Sequence, residues 1–188
     1  MNAAKSSEPL TEGSATSGPP RVVKLVPADP GWAERYAVEA ARIALALGDV
    51  AVRIEHVDST AVPGLAAKPV IDIQISVRSL EPMQAYRSGL ERIGYIHRPD
   101  DESEHQFFHM DLGGERTFNV HVCAAGGAWE RRHLAFRDHL RKDPREAARY
   151  EAVKRGLASQ FGHDVDAYAD SKTPYIRSVE ARIGGRAP

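Results

Sequence analysis

The chain has 188 residues, a length that fits one domain with a sizeable hydrophobic core. Its hydrophobic content of 42% and charged content of 27% are ordinary for a soluble globular protein. A net charge of −1 argues against strong nucleic-acid binding, which needs a concentrated positive field. The single cysteine, Cys123, permits no internal disulfide, and no apolar run is long enough to cross a membrane. We therefore expect a soluble, cytoplasmic protein without membrane contact.

The first 20 residues are rich in Ser, Gly, Ala and Pro and predict a disordered leader, which leaves residues 21–188 as a single domain. Val22–Leu25 is a candidate for a short first strand. Asp29 is a suitable N-cap for a helix, and Pro30 suits the first helical position. Apolar residues then recur at spacings of three and four, which predicts a helix with one buried face: Trp32, Tyr36, Ala40, Ile43 and Leu47.

Two apolar stretches predict neighbouring strands, at about Arg53–Val57 and Val70–Val77. Side chains alternate between the two faces of a strand, so the isoleucines at 71, 73 and 75 share one face. The acid between them, Asp72, must then point away from that apolar face. A second helix is predicted over Glu81–Ile93, with Gly94 after its end.

The second half of the chain predicts a β-hairpin followed by helices. A turn-rich segment at 111–114 separates two strand candidates, Gln106–Met110 and Thr117–Cys123. Asp143 begins a capping box with proline at the first helical position, and Pro174 marks the start of a last helix. The predicted fold class is therefore α+β, with a mixed sheet flanked by helices and a helical C-terminal segment.

The polar residues between the first two strands are the candidate functional site. Ser59 and Thr60 directly follow a strand, where a hydroxyl and backbone amides can hold a phosphate. Lys68 could neutralise that phosphate, and Asp72 could hold Mg²⁺ against it. Ordinary alternatives exist for each residue: a Ser/Thr turn, a solvated lysine, and a salt bridge to a covering helix.

Histidines offer a different hypothesis. Three of the eight, His56, His109 and His121, fall on predicted strands and could form a metal cluster with Asp72. Such a cluster would indicate a His/Asp metal-dependent hydrolase. Hydrogen-bonded histidines in or near the core are the commoner explanation for this pattern.

The stretch from the first strand to the second also carries a specific motif. The chain resembles the GrpB family, whose pattern H-[IV]-G-S-T-[AS]-V-P-G-L-x-x-K-P-[IV]-I-D is followed from His56 to Asp72. The resemblance covers about residues 22–183. Matching positions outside the motif are Gly94-Tyr95, Val120–Val122, Phe136–Asp138, Tyr150, Lys154, Tyr168 and Ser171–Thr173.

The resemblance implies a nucleotidyltransferase-like fold whose cleft binds a nucleotide or another phosphorylated small molecule. Ser59, Thr60 and Lys68 would face phosphates, and Asp72 would be the catalytic residue and hold Mg²⁺. Mg²⁺-dependent nucleotidyl transfer is the activity that such a site could support. The family also resembles the domain fused to some bacterial dephospho-CoA kinases. The other ligand-binding residues in this hypothesis are His121, Arg137, Tyr150, Lys154 and Lys172.

Two positions bear on whether this chain is an enzyme. Asp58 replaces the glycine of the motif, and Gln74 stands where a second strand acid would be expected. Asp58 would repel a phosphate unless a metal lies between them, in which case it would be a further metal ligand. Because two-metal phosphoryl transfer needs at least two convergent acids, the alternative is a catalytically inactive binding or scaffold domain with the same fold.

Overall fold

A five-stranded mixed sheet is the centre of the computed structural model, which describes residues 22–99 and 104–184. The strand order is β1-β2-β5-β4-β3; β2 and β5 are parallel and the other neighbours are antiparallel. The strands are Ala51–Val57 (β1), Ile71–Val77 (β2), Ile96–His97 (β3), His105–Leu112 (β4) and Glu115–Ala124 (β5). The helices are Gly31–Leu47 (α1), Gln84–Arg92 (α2), Ala128–Lys142 (α3), Pro144–Phe161 (α4), Val165–Ser171 (α5) and Thr173–Gly184 (α6).

These elements confirm the predicted α+β class. The predicted leader lies outside the described residues. The strand predicted at Val22–Leu25 is wrong, because that segment forms no ladder in the structure. It is held at single points instead: the amide of Val23 donates to the carbonyl of Gly162 at 2.7 Å, and Val26 pairs with Ala67 in an isolated bridge.

Short-range side-chain hydrogen bonds lie at the starts of the first two helices. The carboxylate of Asp29 accepts a hydrogen bond from the amide of Gly31 at 2.8 Å, as predicted for the start of α1. The second helix begins at Gln84, three residues later than predicted. A turn precedes this helix, and in it the Glu81 carboxylate accepts a hydrogen bond from the amide of Met83 at 3.1 Å.

The hairpin is longer than predicted and turns at two glycines. Gly113 and Gly114 have φ values of 61° and 83°, the left-handed pair that a two-residue hairpin turn requires. Strands β4 and β5 therefore continue to Leu112 and from Glu115. No helix among residues 22–99 and 104–184 is long and apolar enough to cross a membrane.

The two faces of the sheet bury different chemistry. On one face, the isoleucines of β2 pack with residues of α1 and α2, including Trp32, Ile43 and Leu90, to form the main hydrophobic core. The other face carries Asp72 and Gln74 and lies beneath the helices that follow β5. Alternation along a single strand therefore gives the domain its core on one side and a polar surface on the other.

The C-terminal helices form a second core beside that polar face. Asp143 caps α4 by accepting from the amides of Arg145 and Glu146 at 3.0 and 3.1 Å, which confirms half of the predicted capping box. The side chain of Glu146 does not return to the cap, because Tyr175 donates to it at 2.5 Å and Arg182 at 2.9 Å. Residues of the second core are Val62, Leu65, Phe136, Leu140, Tyr150 and Val179.

Candidate functional site

The turn after β1 has an unusual backbone. Ser59–Ala61 forms a single 3-10 turn, and Asp58 before it has φ 53° and ψ −158°. That region is open to glycine and costs other residues about 1–3 kcal/mol. Asp58 is the single non-glycine residue with positive φ within the described ranges. The glycine preference of the motif position thus has a conformational cause, and this chain meets the same conformation with an aspartate.

Both hydroxyls of the turn are buried and engaged. Ser59 Oγ donates to Asp58 Oδ1 at 3.1 Å and accepts from Lys154 Nζ at 3.0 Å. Thr60 Oγ1 lies 2.9 Å from His56 Nε2. Burial lowers the pKa of His56 to about 4, so its imidazole is neutral at neutral pH. The turn therefore presents Ser59 to the lysine, while Thr60 is tied back to β1.

Three lysines from three separate segments meet this turn. Lys154 of α4 is buried, and its ammonium also donates to the carbonyl of Ala66 at 2.5 Å. The ammonium groups of Lys68 and Lys172 lie 5.6 and 5.3 Å from the centre of the Tyr168 ring. The lysine pocket is the small cavity lined by Asp58, Ser59, Thr60, Ala67, Lys68, Val70, Asp72, Lys154, Tyr168 and Lys172.

The lysine pocket has a strong internal field. Burial acts to raise the pKa of the Asp58 carboxyl, but Lys172, Lys154, the Ser59 hydroxyl and Lys68 outweigh it, and the pKa lies below its usual value. Burial lowers the pKa of Lys154 to about 8, against the opposing pull of Asp58. The enclosed space measures about 20 Å³, enough for one water-sized group but far too small for a nucleotide base.

Asp72 lies at the edge of the lysine pocket and is not sealed in a salt bridge to a helix. Its Oδ1 accepts from Asn119 Nδ2 at 2.8 Å and lies 3.6 Å from His121 Nε2, both on the neighbouring strand β5. The side chain keeps 17% of its surface exposed. The structure therefore places His121 beside Asp72, as the sequence hypothesis required, and adds Asn119.

Acids on the sheet face around Asp72 are occupied by arginines. Asp111 of β4 accepts from Arg116 Nε at 2.6 Å, and Arg116 also donates to Asn119. Glu55 of β1 lies opposite Gln74 and so shares the face of Asp72. Its carboxylate accepts from Arg137 Nη1 at 2.7 Å, and the same guanidinium nitrogen donates to the carbonyl of His56 at 2.8 Å. Arg137 thus forms a strap between α3 and β1 and does not line the lysine pocket.

Tyr150 contributes a buried hydroxyl. The side chain is fully buried, and its hydroxyl makes no hydrogen bond of good geometry in the described part of the chain, although the Ser59 hydroxyl is near enough to act on it. Burial and the nearby Asp58 carboxylate raise the pKa of Tyr150 well above 10. The ammonium of Lys154 lies 4.9 Å from the ring centre. Tyr150 therefore stands behind the lysine pocket as a neutral donor.

The histidine cluster proposed with Asp72 does not assemble. His56 points to the opposite face of β1, where it stacks on Tyr36 with ring centres 4.7 Å apart. Within the described residues, the one group of three ligand-type side chains close enough to share a metal is His139, Asp143 and Glu146. That group lies on α3 and α4, away from the lysine pocket, so the metal-hydrolase hypothesis has no support from this geometry.

A larger cavity of about 500 Å³ lies between α3 and α6. It has charges of both signs, and several of its cations already have partners: Arg132 pairs with Glu104 at 2.7 Å, and Arg131 donates to the carbonyl of Gly126. Asp138 on its rim likewise accepts from Arg137 at 2.8 Å. Convergent, incompletely compensated charge is found in the lysine pocket instead.

Comparison with known proteins agrees with the motif. The GrpB protein family matches residues 22–182. The chain belongs to the GrpB family. A UPF0157 protein from Streptomyces coelicolor is 40% identical over 156 residues, which cover 83% of this chain and 81% of that protein. The crystal structure of conserved protein GrpB from Enterococcus faecalis has a TM-score of 0.76 and 31% identity, covering 85% of this chain and 96% of that one.

Some relatives of this GrpB protein are much longer. A protein named dephospho-CoA kinase, from Mycolicibacterium paratuberculosis, is 36% identical over 187 residues, which cover 85% of this chain and 46% of the kinase. The chain also covers 47% of a UPF0157 protein from Bacillus subtilis. It thus spans about half the length of these two relatives, and the name of a whole relative does not by itself describe this GrpB chain.

The residues of the lysine pocket fit an anion better than the Mg²⁺ that the resemblance implies. Mg²⁺ binds oxygen ligands of net negative charge, but three ammonium groups here face two carboxylates, Asp58 and Asp72. Asp58 is further engaged by the Ser59 hydroxyl. The metal-ligand role predicted for Asp58 and Asp72 stays a prediction, and no chemical step is derived through a metal.

Sequence reasoning missed three participants. Tyr168 matched the family pattern but carried no assigned role, although its ring lies against two lysines. Asn119, a neutral residue of β5, is the hydrogen-bond donor to Asp72. Glu55 alternates with the apolar residues of β1, and that alternation was the available signal that it shares the face of Gln74.

Proposed function

We propose that this GrpB protein binds the phosphate group of a phosphorylated small molecule in the lysine pocket. The observation that carries the proposal is the convergence of the Lys68, Lys154 and Lys172 side chains on the turn at Ser59. Ammonium groups and a hydroxyl are suitable donors to phosphate oxygens, and charged hydrogen bonds are about twice as strong as neutral ones. With two carboxylates present, the pocket keeps an excess of positive charge.

The burial of these cations supports an anionic ligand. The two hydrogen-bond acceptors of the Lys154 ammonium are a hydroxyl and a carbonyl, both neutral. A buried ammonium is costly unless a negative charge compensates it. Lys68 and Lys172 lie near the same tyrosine ring. Burial lowers the pKa of Lys68 and of Lys154, and the charge of Lys172 lowers both further. An added anion relieves this mutual repulsion.

The dimensions of the pocket set what can enter. About 20 Å³ of enclosed space accommodates part of a phosphate group once the flexible lysine side chains move, while a ribose or base stays outside. The relative named dephospho-CoA kinase supports a ligand with a nucleotide-like portion. We therefore propose recognition through the phosphate, with the remainder of the ligand lying against the surface around Asp72 and Lys172.

Nucleotidyl transfer is a separate prediction and the residues support it less well. Asp72 accepts from Asn119 and lies beside His121. Of the other acids, Asp58 is engaged by Ser59 and the lysines, and Glu55 is held by Arg137. Transfer that relies on metal ions uses two or more convergent carboxylates. Binding without transfer is the function that these groups favour.

Isothermal titration calorimetry with inorganic phosphate, pyrophosphate and ATP tests the proposal. Lys172→Gln removes one partly exposed ammonium of the pocket, and we expect at least tenfold weaker binding because one charged hydrogen bond is lost. Lys142→Gln is the matched control, because this exposed lysine at the end of α3 lies outside the lysine pocket. Absence of binding by all three probes, with or without Mg²⁺, would remove the proposal.

The role of metal is tested in the same titrations. If lysines hold the phosphate directly, Asp72→Asn binds phosphate at least as tightly as the wild type without Mg²⁺, because a nearby negative charge is removed. If Mg²⁺ bridges Asp72 and the ligand, binding requires Mg²⁺ and is lost in Asp72→Asn. The second result would restore the metal role that the resemblance implies.

A further inference from the structure

We infer that Asp58 is the internal counter-ion of the lysine pocket and competes with the phosphate for Ser59 and the lysines. The inference rests on the proposed function and makes Asp58 the residue that sets which anions bind. A ligand must bring enough negative charge to replace the carboxylate, so a dianionic phosphate monoester is favoured over a monoanionic diester. A metal-ligand role for Asp58, which the sequence predicts, would give a different result in the test below.

The first observation is the direction of the carboxylate. Asp58 holds a glycine-type backbone conformation, φ 53°, and its side chain lines the lysine pocket rather than pointing into solvent. The cations of Lys172, Lys154 and Lys68 all act on it. An acidic side chain surrounded by three ammonium groups occupies the place of an anion.

The second observation is that Asp58 uses the hydroxyl a ligand would need. A serine hydroxyl has a single proton to donate, and Ser59 gives it to Asp58 Oδ1 at 3.1 Å. The Ser59 Oγ atom also accepts a hydrogen bond from Lys154 Nζ at 3.0 Å. A phosphate oxygen that binds Ser59 as a donor must therefore displace Asp58 first.

The third observation is the hydroxyl of Tyr150. It is fully buried behind Ser59 and Asp58 and makes no hydrogen bond of good geometry in the described part of the chain. A buried donor without an acceptor is rare in folded proteins. The Ser59 hydroxyl is the polar group that acts on it, and an anion bound at Ser59 in place of the Asp58 carboxylate would offer this hydroxyl a stronger acceptor.

The test compares Asp58→Gly and Asp58→Asn with Glu151→Gln as a control. Asp58→Gly suits the positive φ. Asp58→Asn keeps the size of the side chain and removes its charge, and it is the second variant if the glycine variant does not fold. Glu151→Gln removes a carboxylate whose charge also raises the pKa of Lys154. This carboxylate accepts a hydrogen bond from the amide of Ala66, outside the turn at Ser59. Calorimetric titration with inorganic phosphate at neutral pH, in chloride-free buffer, gives the affinities.

We expect both Asp58 variants to bind phosphate at least tenfold more tightly than the wild type, and Glu151→Gln to change affinity less than threefold. The ratio of the affinity for phosphate to the affinity for the monoanion dimethyl phosphate should also be smaller in the Asp58 variants than in the wild type. Binding of inorganic phosphate by the Asp58 variants alone, while the wild type still binds pyrophosphate or ATP, would support the inference in its strongest form.

Other results would overturn it. If the wild type binds phosphate and the Asp58 variants bind equally or more weakly, Asp58 is no competitor, although the proposed function stands. If Glu151→Gln gains as much phosphate affinity as the Asp58 variants do, the gain reflects the overall loss of negative charge and not a specific competition by Asp58. If neither the wild type nor any variant binds phosphate, the proposed function itself fails and the inference fails with it.

Discussion

Ile73 and Gln74 are neighbours on β2, and both are fully buried, but they lie in different chemical environments. Ile73 is surrounded by the apolar residues of the main core. Gln74 has one long hydrogen bond, from its amide to Ser76 Oγ at 3.4 Å, and its carbonyl oxygen has no partner in the described part of the chain. The contrast teaches that the apolar face maintains the fold, while the polar face is free to carry incompletely satisfied groups near a site.

The largest effect should come from the apolar face. Ile73→Ala deletes buried methyl and methylene groups at the centre of the sheet and should lower the free energy of unfolding by about 2–5 kcal/mol. Urea denaturation monitored by circular dichroism measures the change. Ile73→Val is the matched control and should cost about 0.5–1.5 kcal/mol. Equal losses for the two variants would contradict a tightly packed apolar face.

A smaller loss should follow when the strap between the polar face and α3 is cut. Arg137→Met leaves the Glu55 carboxylate and the carbonyl of His56 without their charged donor and should cost about 2 kcal/mol. The value stays below that of a fully buried pair because a third of the Glu55 side chain is exposed. Phosphate affinity should be unchanged in the same variant. A loss of phosphate binding with full stability would instead return Arg137 to the ligand-binding set.

The affinity of the lysine pocket on the polar face for an anion should depend on pH. Lys154 is protonated below its pKa of about 8 and neutral above it, so the positive charge of the lysine pocket falls as pH rises through 8. Sulfate, whose charge is constant in this range, should bind up to about tenfold more weakly at pH 9 than at pH 7. Titration calorimetry at the two pH values gives the ratio. Constant affinity would show that the ammonium of Lys154 does not contact the anion.

The smallest effect is expected at Gln74. Gln74→Leu removes a buried carbonyl oxygen that has no described partner, so the free energy of unfolding should rise or stay within about 1 kcal/mol of the wild type. The same denaturation series measures it. A loss above about 2 kcal/mol would mean that ordered water satisfies this oxygen, and the polar face would then be better satisfied than it looks.

Local pattern was enough to predict most of the fold. The alternation of Ile71, Asp72 and Ile73 gave the orientation of β2, and Asp143 with Pro144 gave the start of α4, because both signals act within a few residues. The prediction of a strand at Val22–Leu25 was wrong. The residue types there are consistent with a strand, but no neighbouring strand lies alongside to form a ladder.

The candidate site was predictable only in part. The motif contained Ser59, Lys68 and Asp72, and all three line one cavity. The direction of the Asp58 carboxylate could not be predicted, because it depends on a positive φ and on lysines that are distant in sequence. Tyr168 was hard to assign for a related reason: its role follows from how α5 packs across the turn, and packing between distant segments leaves no short-range pattern.

The bonds of Lys154 have a consequence for the order of events during synthesis. This one ammonium joins α4 to two points of the loop between β1 and β2, at Ser59 and at Ala66. Every strand of the sheet leaves the ribosome before α4 does, so the sheet can form while the loop still lacks its anchor. The lysine pocket therefore cannot be complete until Lys154 and Lys172 have been synthesised, which is later than every strand of the sheet.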